Sequence, residues 1–105
     1  MVANGFVFVS TIVAIDPATG AMVAGGIKEQ TARVIESIKA ILEEAGSSLQ
    51  KVAKTTVYLK DGPYFKDMNE VYTKYFGDHK PARTTIVCSF VRSDILVELD
   101  AVALA

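Results

Sequence analysis

The strand-like segments of this chain are apolar on both faces, whereas only two segments carry the spacing of an amphipathic helix, and this mismatch limits the folds it can adopt. From Arg83 to Val91, Ile86, Cys88 and Phe90 alternate with Val87 and Val91, so neither face of the predicted strand is consistently polar. Two helices can cover one face of a sheet. The other face must be buried as well, and a second subunit is the simplest cover.

The first helical stripe contains Ile27, Thr31, Val34, Ile35, Ile38, Ile41, Leu42 and Ala45, opened by Gly25-Gly26 and stopped at Gly46. The second contains Tyr64, Phe65, Met68, Val71, Tyr72, Tyr75 and Phe76, with Asp61 as its N-cap candidate and Gly77 as its stop. Asn4-Gly5 is the dipeptide of a tight hairpin, with only Met1-Val2-Ala3 before it and the aromatic and β-branched run Phe6–Val9 after it. A further extended piece, 12–15, enters the turn Asp16-Pro17-Ala18-Thr19-Gly20. In the strand 51–60, Ala53, Thr55, Val57 and Leu59 fall on one face and Lys54, Thr56, Tyr58 and Lys60 on the other. Strands 83–91 and 95–104 follow, separated by Arg92-Ser93-Asp94. The predicted order is strand, strand, helix, strand, helix, strand, strand. This is an α+β sheet with two helices on one face, in a single domain spanning 1–105.

Composition narrows the function classes. A net charge of −1 with scattered basic residues argues against nucleic acid held mainly by charge, because such binding requires several phosphates to be neutralised. The single cysteine, Cys88, cannot form an internal disulfide. With no export signal, a cytoplasmic location is expected, the mitochondrion being the alternative. No run of apolar residues is long enough for a membrane helix.

Three charged residues stand in otherwise apolar strands: Arg83, Glu98 and Asp100. Pro81 biases Lys80 towards an extended backbone, which places Arg83 at the mouth of a strand. A planar guanidinium there suits a carboxylate clamp, while the ordinary alternative is a structural ion pair with Glu98 or Asp100. Those two acids lie two residues apart and so share a strand face. Asn69 falls on the polar flank of the second helix. His79, the only histidine, is expected to be solvent-exposed, and Cys88 has no visible base beside it. No metal-ligand spacing and no phosphate-binding glycine loop is present, so neither a cofactor nor a metal is expected.

Several segments taken in order carry a resemblance: Phe6-Val7-Phe8-Val9-Ser10, Asp16-Pro17-Ala18-Thr19-Gly20, Glu43-Glu44-Ala45-Gly46-Ser47-Ser48-Leu49, Val52–Asp61, Met68-Asn69-Glu70-Val71-Tyr72 and Lys80-Pro81-Ala82-Arg83-Thr84-Thr85. Together they resemble the reactive intermediate deaminase family, the Rid or YjgF group, also called the L-PSP endoribonucleases. The resemblance implies a chorismate-mutase-like fold and a homotrimer with its sheets turned inwards and a cleft at each subunit boundary. It further implies hydrolysis of 2-imino acids to 2-keto acids and ammonia without a cofactor. In that cleft, Arg83 would grip the substrate carboxylate, and Glu98 would position water and pass protons. The main-chain carbonyl near Thr85 would bind the attacking water, and Ser10, Thr11 and Asn69 would line the pocket.

Departures from the family pattern bear on activity. The family's Gly-Pro-Tyr segment, which carries a pocket tyrosine, would precede Met1. The usual Ser-Gly-Gln-Ile-Pro run is replaced by Ser10-Thr11-Ile12-Val13-Ala14, so Thr11 brings a side chain to a position that is otherwise glycine. Phe90 and Arg92 stand where an arginine and a proline are usual. Two alternatives therefore stand beside the deaminase: a non-catalytic protein that binds small carboxylates, and the ribonuclease attributed to the family.

Overall fold

A computed structural model describes all 105 residues. Its elements are β1 (Val2–Ala3), β2 (Phe6–Ile12), α1 (Ile27–Glu44), β3 (Val52–Leu59), α2 (Phe65–Phe76), β4 (Ala82–Val87) and β5 (Val97–Leu104). They form one five-stranded mixed sheet of order β1-β2-β5-β3-β4, in which only β3 and β4 run parallel. Both helices pack on the same face. No helix is long and apolar enough to cross a membrane.

Local chemistry accounts for most of the element boundaries. Asn4 and Gly5 take φ of 53° and 81°, the left-handed pair that a twisted two-residue hairpin needs, so the short arm Val2–Ala3 pairs with Phe6–Val7. The end of α1 falls where Gly46 adopts φ 81°, and that of α2 where Gly77 adopts φ 58°. The Asp61 side chain accepts a hydrogen bond from the Gly62 amide and caps a short 3-10 turn that leads into α2. The buried stripes are Ile27, Thr31, Val34, Ile35, Ile38 and Leu42 on α1, and Met68, Val71, Tyr72 and Phe76 on α2. Ile41 and Ala45 fall outside the α1 stripe and are exposed.

The strands differ from expectation in four places. The strand expected over 6–9 extends to Ile12 as β2, and the separate strand expected over 12–15 does not form, since Val13 and Ala14 lie outside any strand and Ile15 makes only an isolated bridge to Met22. Likewise β4 stops at Val87, short of the expected Val91, and β5 begins at Val97 rather than Ile95. In β3 the register against β5 shifts between Val52 and Lys54. This bulge turns Val52 into the core and Ala53 out of it, so Ala53 leaves the face of Thr55, Val57 and Leu59.

The core lies between the helices and one face of the sheet. It includes Val7 and Val9 of β2, Val52, Val57 and Leu59 of β3, and Val97, Leu99, Ala101 and Ala103 of β5. Gln30, 3% exposed, ties α1 to the entrance of β5: its amide donates to the Asp94 carbonyl at 2.8 Å and accepts from the Leu96 amide at 2.9 Å. Both ends of a buried amide are thus satisfied, and the strand that carries Glu98 starts from a fixed point. The opposite face is uncovered within the chain and mixes apolar with charged and polar side chains. Phe8 (44% exposed), Ile86 (42%) and Leu104 (50%) stand there, whereas Cys88, Phe90 and Val91 of the sequence pattern lie beyond the end of β4.

Candidate functional site

Arg83 lies on the edge strand β4, where it pairs in parallel register with Thr55 and therefore shares the helix-side face of β3. Its half-buried side chain reaches towards α2. The guanidinium carbon sits 4.6 Å from the centroid of the Tyr72 ring and 5.5 Å from that of Phe65, and Nη1 donates to Asn69 Oδ1 at 2.7 Å. Cation–π contacts of this kind contribute about 0.5–2 kcal/mol each. Tyr72 is itself held by a 2.8 Å hydrogen bond between its hydroxyl and Thr55 Oγ1, and burial is the main cause that raises its pKa above the ordinary phenol value. The guanidinium therefore rests on a neutral, fixed ring.

Arg83 makes no ion pair. The two salt bridges of the structure are Lys28–Glu70 and Arg92–Asp94, and the expected partners Glu98 and Asp100 stand elsewhere. On β5 these two alternate with buried Val97, Leu99 and Ala101, and they pair across the sheet with Tyr58 and Thr56. They share a face, as expected, but it is the open face, opposite the helices. The structural ion-pair reading of Arg83 is corrected accordingly.

The sequence-derived candidates thus fall into two groups within one chain. Arg83, Asn69 and Thr85 belong to the first, because Thr85 follows Arg83 on the same face of β4 and pairs with Val57. Glu98 belongs to the second, with Ser10 and Thr11 on the neighbouring strand β2. The pairs Val9–Ala101 and Ile12–Leu99 leave Ser10 and Thr11 together opposite Asp100, in a break of the β2–β5 register. Both residues are exposed. With β3 between them, β4 and β5 are about 10 Å apart at a strand spacing near 4.8 Å. One small ligand cannot touch Arg83 and Glu98 of the same chain.

Electrostatics also separates the groups. Desolvation raises the pKa of Glu98 above that of an ordinary glutamate. Asp100 Oδ2 accepts a 2.9 Å hydrogen bond from the Tyr58 hydroxyl, and that bond is the largest cause of the raised Tyr58 pKa. Asp100 is thereby engaged within its own chain, whereas Glu98 makes no side-chain hydrogen bond.

A cleft of about 440 Å³ opens beside Arg83, between the second half of α2 and the loop that enters β4. Its wall includes Asn69, Tyr72, Thr73, His79, Lys80 and Arg83. His79 was expected in solvent but is half-buried, with Nε2 2.6 Å from the Val52 carbonyl oxygen. Sequence spacing could not reveal that contact, since it joins residues from separate elements. Cys88 is a half-buried free thiol whose amide donates to the Leu59 carbonyl, and no cluster of three or more His, Cys, Asp or Glu side chains could hold a metal ion.

The fold and this edge-strand arginine define a small α+β protein with an arginine-lined cleft. Residues 1–105 match the family model described as Endoribonuclease L-PSP, and the chain belongs to that family, the Rid group. A RutC family protein of Pyrococcus abyssi is 58% identical over 100 residues, covering 95% of this chain and 79% of that relative. Among solved structures, a Thermotoga maritima protein assigned as a candidate endoribonuclease superposes with TM-score 0.94 at 44% identity, over 99% of this chain and 82% of its own. Escherichia coli TdcF, solved with bound serine, gives TM-score 0.92 at 30% identity over 100% of this chain and 84% of its own.

Proposed function

We propose that the protein is an enamine/imine deaminase that hydrolyses 2-imino acids to 2-keto acids in clefts shared between copies of the chain. One observation carries this reading: a half-buried arginine, stacked on two aromatic rings and fixed by an amide, has no carboxylate of its own. Its unused donors match a planar carboxylate presented by a ligand. The serine bound to TdcF is a small molecule with such a carboxylate, which supports the same ligand class here.

The separation of the two residue groups supports assembly. A ligand held by Arg83 and Thr85 of one copy meets Glu98, Ser10 and Thr11 only if a second copy presents its open face, and that face carries the exposed Phe8, Ile86 and Leu104. A closed homotrimer turns all three open faces inwards and leaves no copy uncovered.

In the cleft, Arg83 binds the C1 carboxylate and turns C2 of the imine towards Glu98. Water, held by the main-chain carbonyl near Thr85 and by Glu98, adds through its oxygen to C2, and its proton passes to the nitrogen by way of the glutamate. The hydroxyl proton of this adduct follows to nitrogen by the same route, the C2–N bond breaks, its electron pair leaves with nitrogen as ammonia, and the oxygen left on C2 becomes the keto oxygen. Burial raises the pKa of Glu98 above that of an ordinary glutamate, which strengthens it as the base that takes the proton and returns it. No oxidant or reductant enters the balance. Placement of the two reactants supplies much of the acceleration.

A second reading rests on the same separation: Arg83, Asn69 and Tyr72 form a carboxylate clamp that is complete within one chain, so binding without turnover needs no partner. Ammonia release from freshly generated 2-iminobutyrate decides between the two. Faster release by the parent protein and loss of that effect in Arg83→Ala supports hydrolysis. Ligand-dependent thermal stabilisation without turnover supports the clamp alone, and RNA cleavage abolished by Arg83→Ala would replace both with the ribonuclease.

A further inference from the structure

We propose that the cleft beside Arg83 selects 2-imino acids bearing a second anionic group, a dicarboxylate in the simplest case, and that Lys80 is the residue that reads it. The inference rests on the deaminase reading above and adds its substrate class. The cleft wall contains two permanent cations, Arg83 and Lys80, and no aspartate or glutamate. A single carboxylate neutralises one of those charges and leaves the other facing the ligand. At about 440 Å³ the cleft also lies within the range of drug-sized ligand sites, with room beyond the smallest imino acids.

The spacing of the two cations is fixed by the chain. Lys80 stands three residues before Arg83, so their Cα atoms are no more than about 11 Å apart. On one side of Lys80 the Pro81 ring restricts φ. On the other, His79 is tied twice, through Nε2 to the Val52 carbonyl oxygen at 2.6 Å and through its amide to the Phe76 carbonyl at 3.1 Å. Lys80 is thus held at the rim of the cleft through its backbone, and its exposed side chain is free to meet a ligand there. That ammonium makes no salt bridge and no hydrogen bond within the chain, as is true of most of the lysines here; what sets Lys80 apart is its place on the cleft wall. Asp78, next to His79 in sequence, is exposed and does not line the cleft.

The ligand geometry follows. The C1 carboxylate meets Arg83, the imine carbon lies towards the open end of the cleft where the second copy approaches, and the distal carboxylate points back along the loop to Lys80. An alkyl side chain in the same orientation would leave the ammonium unpaired.

The test compares kcat/KM for 2-iminosuccinate with that for 2-iminobutyrate, both generated enzymatically in the assay, in the parent, Lys80→Ala, Lys80→Arg and Lys80→Glu proteins. The diacid is expected to be preferred by the parent. Their ratio should fall about tenfold in Lys80→Ala, be retained in Lys80→Arg, and invert in Lys80→Glu. Calorimetric titration of the parent and Lys80→Ala with 2-ketoglutarate and 2-ketobutyrate repeats the comparison without chemistry. If neither imine is turned over but the keto diacid binds more tightly in a Lys80-dependent way, the selectivity stands and the deaminase reading fails. Equal preference for monoacid and diacid in the parent, or a ratio unmoved by Lys80→Glu, overturns the proposal, as does the absence of binding by either keto acid.

Discussion

Arg83 and Glu98 stand on opposite faces of one sheet with β3 between them, so the two charges assigned to the proposed hydrolysis cannot meet inside a single chain. Mixing two inactive proteins should therefore restore activity. If Arg83→Ala and Glu98→Gln chains are unfolded together, refolded and assayed for 2-iminobutyrate hydrolysis, random assembly pairs an intact arginine with an intact glutamate at about a quarter of the clefts. Each variant alone should be inactive. Recovery of a quarter of parental turnover supports shared clefts, and no recovery beyond the sum of the two variants argues that each chain works alone.

Asn69 orients the arginine through the 2.7 Å bond to Nη1. A hydrogen bond to a charged group contributes about 1.5–3 kcal/mol, so Asn69→Ala should lower kcat/KM by roughly tenfold to a hundredfold. The loss should appear chiefly in KM, because the clamp holds the carboxylate in ground state and transition state alike. Asn69→Asp would pair the guanidinium internally and should abolish ligand binding, measured by calorimetry with 2-ketobutyrate.

Tyr72 separates stability from binding. Its hydroxyl bonds to buried Thr55 while its ring lies under the guanidinium. Tyr72→Phe should lower unfolding free energy by about 1–2 kcal/mol and leave KM within a few-fold of the parent, since the ring face is kept. Tyr72→Leu should raise KM as well. Denaturant unfolding and steady-state kinetics on the same preparations check both outcomes.

Much of this architecture is legible in the sequence, because it depends on local chemistry. Helix periodicity, Asn4-Gly5, Gly46 and Gly77 are signals a few residues long, and the structure places α1, α2 and the hairpin where they point. The bulge that turns Ala53 out of the core is not legible, since a register shift is decided by the partner strand rather than by Ala53 itself. The faces of Arg83 and Glu98 were hidden for the same reason: the parallel pairing of Thr55 with Arg83 and the antiparallel pairing of Tyr58 with Glu98 join segments far apart in sequence. The burial of His79 depends on the Val52 carbonyl, a contact that no motif announces.

The open face offers a test of assembly independent of catalysis. Phe8 pairs with Val102 at the centre of the β2–β5 ladder and lies beside Phe6, with ring centroids 6.2 Å apart. Phe8→Asp puts a charge on a surface that must be desolvated if copies meet there, at a cost that association has to offset. Sedimentation velocity should show a trimer for the parent and a monomer for Phe8→Asp, with circular dichroism unchanged because the substituted side chain points away from the core. A parent that sediments as a monomer at micromolar concentration would remove the shared cleft.

The raised pKa of Glu98 gives a pH signature whose sign is fixed. Burial disfavours the carboxylate in the folded protein, so folding is helped while Glu98 is protonated and loses that help as pH rises through the folded pKa. Glu98→Gln removes the ionisation and keeps the shape. Its melting temperature should equal that of the parent below about pH 4, where an ordinary glutamate is already protonated, and exceed it at pH 7. Thermal unfolding of both proteins across that range checks the crossover. The opposite pattern, with Glu98→Gln less stable at pH 7, would mean that the folded protein stabilises the carboxylate by a contact and not merely buries it, and the proton-carrying role of Glu98 would lose its support.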